Sequence, residues 1–104
     1  MLVIRDAQWE RFEREAALEA VLRATPDLRG AALRDACARA HAAFDAAAAH
    51  GLRGADALAR FAGLDALLPG FAGQGWAAAI LAWDEPQERR LAMLERRVAL
   101  EVEG

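Results

Sequence analysis

Cys37, His41 and Asp45 stand four residues apart, so a helix through this stretch places a thiol, an imidazole and a carboxylate along one stripe. In that order they outline a nucleophile, a base and an orienting acid. Such a relay works only where the base reaches a nucleophile presented in a cleft with oxyanion donors beside it, and the glycines that could supply donors lie elsewhere in the chain. The stripe also drifts by about 40° over each four-residue step, which lets Asp45 emerge into water while Cys37 enters the core. The three are therefore read as structural. As metal ligands, Cys37 and His41 supply two donors and His50 a third, against the three or four matched ligands of a zinc site. His50 is expected instead at a helix end, where the dipole favours it. The expectation is no catalytic residue, no metal and no cofactor.

A second stretch with apparent chemistry is Gly73-Gln74-Gly75-Trp76-Ala77-Ala78, which fits the loose dinucleotide pattern G-x-G-x-x-A. That fingerprint belongs between a strand and a helix of a βαβ unit, whereas Leu64 to Leu68 reads as a helix end closed by Pro69. A phosphate-binding loop of the Walker type needs a lysine, and the chain has none. These glycines are read as a chain reversal between two helices.

Composition narrows the chemistry further. Serine, asparagine and tyrosine are also absent, and all thirteen cations are arginine. Alanine, the best helix former, is densest from Ala31 to Ala49, while the turn-favouring residues are scarce. Arginines and carboxylates are intermixed at a net charge of −3, without the basic stripe that nucleic acid requires. A single cysteine forms no disulfide within the chain and suits a reducing compartment. The start, MLVIRD, meets charge too early for a secretory signal, and the longest apolar run, Trp76 to Trp83, is far shorter than the about 20 residues of a membrane span. A cytoplasmic protein with no membrane contact is expected. A chain of 104 residues suits one domain with one core.

These residues must be positioned by helices. The first is expected from a cap at Asp6 to about Ala24, with Trp9, Phe12 and Ala16, then Leu18, Val21 and Leu22, as its apolar stripe. A second runs from about Gly30 to His50 through Leu33, Cys37, Ala40, Phe44 and Ala48, with Gly51 as its left-handed terminator. The third spans about 55–68, with Leu58, Phe61, Ala62 and either Asp65 or Leu68 on one side, and stops at Pro69-Gly70. The fourth, from Gly75 or Trp76 to about Trp83, is apolar nearly all round and is expected to be a central pivot. The fifth opens on Asp84-Glu85-Pro86-Gln87, read as a capping box, and carries a seam of Leu91, Leu94, Val98 and Val102. Glu85 and Arg89 have the favourable four-residue spacing, and Arg89, Arg90, Arg96 and Arg97 are expected to face water or a partner. The fold class is all-α: a compact orthogonal bundle of about five short helices, with helices two to four at its centre.

The large aromatics divide into two groups. Phe44, Phe61 and Trp76 are expected in the core. Trp9 and Trp83 lie near helix ends beside charges, a setting for interface anchors. The candidate protein-binding residues are Trp9, Phe12, Trp83, Arg89, Arg90 and Arg97, and association of two copies through the first helix is a further reading.

The order of features resembles a family of small helical proteins encoded in bacterial type VI secretion gene clusters. The residues that carry the resemblance are Ile4-Arg5, Gln8, Phe12, Gly51 before Asp56, Arg60-Phe61, Gly70-Phe71, Trp76-Ala77 and Ile80-Leu81. The chain differs from the family pattern in having His50 before Gly51 and a glycine-rich segment before Trp76. The resemblance implies a non-enzymatic co-chaperone or adaptor that helps a secretion adaptor hold or load its toxin effector. The other reading is an immunity protein, in which a compact acidic domain neutralises a basic cognate toxin.

Overall fold

A computed structural model describes residues 6–104, with side chains from Gln8 onward. The described chain is an all-α bundle of five helices: α1 (Asp6–Arg23), α2 (Gly30–Ala49), α3 (Ala55–Leu67), α4 (Gly75–Leu81) and α5 (Gln87–Glu103), with one 3-10 turn at Phe71–Gly73. No strand occurs among the described residues. Asp6 is the first residue of α1, but the side chain expected to cap the helix lies outside the described part, as does the Ile4-Arg5 pair.

Local chemistry sets the boundaries. At the end of α2, Gly51 takes φ 81°, its N–H donates to the Ala48 carbonyl at 2.9 Å and the Leu52 N–H donates to Ala47 at 3.0 Å. This is a Schellman closure, and the fully buried Leu52 supplies its apolar contact. Between α3 and the 3-10 turn, Gly70 takes φ 75° and donates its N–H to Asp65 Oδ1 at 3.1 Å. Gly73 and Gly75 adopt ordinary backbone angles with nothing crowding their Cα atoms, so Gly70 alone reverses the chain there.

The centre of the bundle differs from expectation. Helix α3 packs against α1, α2 and α5 and is its hub, burying Ala57, Leu58, Phe61, Ala62 and Leu64. Helix α4 is peripheral, packed on α5 and the 3-10 turn, and only Ala77 and Leu81 are buried in it. With seven residues it is too short to reach more than one neighbouring layer. Phe44, Phe61 and Phe71 fill the core, with Trp76 partly buried against it. The bundle measures 50 × 38 × 18 Å, so its thin axis is about two helix diameters. A core that thin leaves much helix surface without a neighbour.

The expected stripe of α1 splits in two. Ala17 is fully buried, with Leu18 and Val21 packed beside it, whereas Trp9, Phe12 and Ala16 face outward. Small Ala17 permits close approach of α3, which a helix resting on Trp9 and Phe12 would not have. On α5, Leu91, Leu94 and Val98 form the buried seam, but Val102 runs past the core and is exposed.

The capping box expected at α5 does not form. Pro86 is the N-cap, without a side-chain cap bond. Gln87 reaches across to the α2–α3 connection, where its Oε1 accepts from Arg53 N–H at 3.0 Å and its Nε2 donates to the Arg53 carbonyl at 2.8 Å. Next to it, Glu13 of α1 accepts from the Gly54 N–H at 3.3 Å. One loop thus ties together α1, α3 and α5. Gln87→Ala should lower unfolding free energy by about 1 kcal/mol in urea titration. Gln87→Glu should do no better, because its carboxylate faces the Arg53 carbonyl without a donor. A capping box would instead favour glutamate, so neutral behaviour of Gln87→Glu would contradict the observed pairing.

Candidate protein-binding surface

The turn between α4 and α5 carries Trp83, which is 51% exposed. The Trp83 N–H donates to the Ile80 carbonyl at 3.1 Å, and Arg90 Nη1 donates to the Leu81 carbonyl at 2.9 Å, closing the end of α4. Arg90 Nε is buried without a hydrogen-bond partner. The expectation that Arg90 faces water or a partner is therefore corrected: its guanidinium is spent on the α4 terminus, where a cation meets the negative end of the helix dipole.

Arg97 is also engaged within the chain. Its guanidinium carbon lies 5.1 Å from the centroid of the Trp76 ring, and it pairs with Glu101 at 2.8 Å. Phe71 also stacks on Trp76, with ring centroids 6.3 Å apart. Arg97 remains exposed at its edge, so it covers Trp76 while keeping a polar tip in water. Among the described residues Arg89 pairs only with Glu85, at 3.3 Å along an exposed face. Trp83 in the α4–α5 turn and Arg89 in the first turn of α5 are both exposed.

Trp9 and Phe12 occupy a different element. They are 56% and 59% exposed on the outer face of α1, which packs against α2 and α3, while Trp83 belongs to the α4 and α5 side. The six candidate residues therefore do not make one patch. Leu67, Met93, Leu100 and Val102 are further exposed apolar side chains. A cleft of about 200 Å³ between α1, α2 and α3, with Val21, Leu28, Ala40 and Pro69 in its wall and Arg39 and Asp65 at its polar part, was not visible in the sequence. The only signal for it is the run of alanines that leaves the space open.

Asp45 is taken by Arg14 of α1 at 2.6 Å, His41 is exposed and meets Phe44 edge-on at 5.7 Å, and Cys37 is partly buried. Among the described residues no group of three or more His, Cys, Asp or Glu is placed to hold a metal ion. None of the described helices is long and apolar enough to cross a membrane.

Arg60 was present in the sequence only as a point of resemblance, yet it is the most connected polar side chain described. Its Nη1 donates to both carboxylate oxygens of Glu88 at 2.9 Å, its Nε donates to Glu95 at 3.1 Å, its Nη2 also pairs with Glu95, and Asp56 lies at 3.5 Å. Hydrogen bonds to Glu95 and then Glu88 raise its pKa further above the already high arginine range. The clamp joins α3 to α5 and holds the helix that supports Trp83. Comparison of the chain with family models, with curated proteins and with solved structures returns no match.

Proposed function

We propose that this chain is a cytoplasmic, non-enzymatic protein-binding module whose contact edge is the α4–α5 turn. The observation that supports the reading is Trp83, 51% exposed two residues after the Leu81 carbonyl that Arg90 holds. A rigid aromatic anchor loses little freedom on binding, which is the property of residues that dominate protein interfaces. Arg89, exposed in the first turn of α5, is a further cation for a carboxylate on the partner.

The resemblance to type VI secretion proteins supplies the partner class: a secretion adaptor, or the effector that the adaptor carries, with this chain acting as co-chaperone or adaptor. The test is effector export from a strain lacking the gene. Export should fall in the deletion strain, return with the wild-type chain and stay low with Trp83→Ala, whose partner affinity should drop about tenfold. Protection of toxin-expressing cells with export unchanged would replace this role with that of an immunity protein.

A further inference from the structure

The outer face of α1 has a built-in asymmetry. Trp9, Phe12, Ala16, Ala20 and Arg23 fall within an arc of about 80° on that helix. The bulky pair sits in the amino-terminal half, and the two alanines and the cation sit in the carboxyl-terminal half. Trp9, Phe12, Ala16, Ala20 and Arg23 are all exposed, on the side of the helix away from the half-buried Leu18 and Val21.

We propose that this face binds a second copy of the chain, with the two α1 helices antiparallel and a two-fold axis passing at Ala16. Counting outward from Ala16, Phe12 then falls opposite the second copy's Ala20, and Trp9 opposite its Arg23. Large side chains meet small ones in both halves at once, the self-complementarity that an isologous pair requires. Ala16 facing its own counterpart lets the helix axes approach to about 8 Å. Among the described residues of the stripe the one charge, Arg23, meets an indole face rather than its like, while it keeps its pairing with Glu19 one turn back. An unrelated helix would satisfy the bulky half; the ordering of large, small and cationic residues about one point selects a second copy.

A single helix face gives less than the about 800 Å² per partner of a stable complex, so the dimer forms in a concentration-dependent way. The interface is independent of Trp83, and each copy of the pair keeps its α4–α5 turn free.

Sedimentation velocity on the full chain, from about 5 µM to about 500 µM, reads the association directly. The wild-type mass should rise from one chain toward two. Ala16→Glu and Ala16→Arg each place like charges at the axis and should remain at one chain throughout, with unchanged helical circular dichroism since the position is exposed. An equimolar mixture of the two variants should regain the two-chain mass. Trp83→Ala should associate as the wild type does. A wild-type chain that stays single at every concentration overturns the proposal, as does a dimer that survives either charge, or a mixture that fails to recover.

Discussion

Phe61→Ala should leave the protein close to unfolded at ambient temperature. Phe61 is 1% exposed at the middle of α3, the helix that touches α1, α2 and α5, and its ring lies 5.0 Å from Phe71. Removing a buried phenyl ring loses its transfer free energy and leaves a cavity, together about 3–5 kcal/mol. Collapse into that space is limited, because many of the buried core residues are alanine, which has no rotamers with which to refill it. Bundles of this size have about 5–15 kcal/mol in total, so the midpoint in urea should fall by a large fraction of its value. Phe61→Leu should cost about 1.5 kcal/mol or less. A loss below about 1 kcal/mol for Phe61→Ala would contradict the placement of α3 at the centre.

Arg60→Ala should cost about 2–3 kcal/mol, more than an exposed ion pair would. Its side chain is 22% exposed, and its removal leaves Glu88 and Glu95 projecting toward the same place on α3 with no cation between them. Arg60→Lys should recover only part of the loss, because an ammonium cannot reach two carboxylates with the fork of a guanidinium. The pH dependence has a definite sign. A group whose pKa is raised in the folded state stabilises fully below its unfolded pKa, and that stability is lost only as pH rises through the folded value. For arginine this window lies above the accessible range, so the difference between wild type and Arg60→Ala should stay constant from about pH 7 to pH 10. A difference that shrinks across that range would contradict the clamp.

Both variants act on features of different legibility. Helix boundaries were written locally: Gly51 and Pro69-Gly70 mark chain reversals through backbone chemistry that involves only their near neighbours. Which face of a helix is buried was less legible, because alanine suits every side of α1 and α2. Trp9 and Phe12 suggested the inner stripe by size, while the bundle chose Ala17 because a small residue lets α3 approach. Helix α4 was expected at the centre for its apolar content, yet its length confines it to the edge. Gln87 and Arg60 depend on partners 34 and 28 to 35 residues away, beyond any local pattern. At the candidate surface, the exposure of Trp83 could be anticipated from its charged neighbours. The use of Arg90 to close α4 could not, since a surface arginine and a capping arginine look alike in sequence.

We propose that Trp83 anchors a protein partner, and co-expression of the chain with the products of its adjacent genes, resolved by size-exclusion chromatography, decides it. The wild-type chain should elute with one of them, and Trp83→Ala, still folded by circular dichroism, should elute apart from it. Elution of the wild-type chain free of every neighbouring product, or retention of the partner by Trp83→Ala, would contradict it.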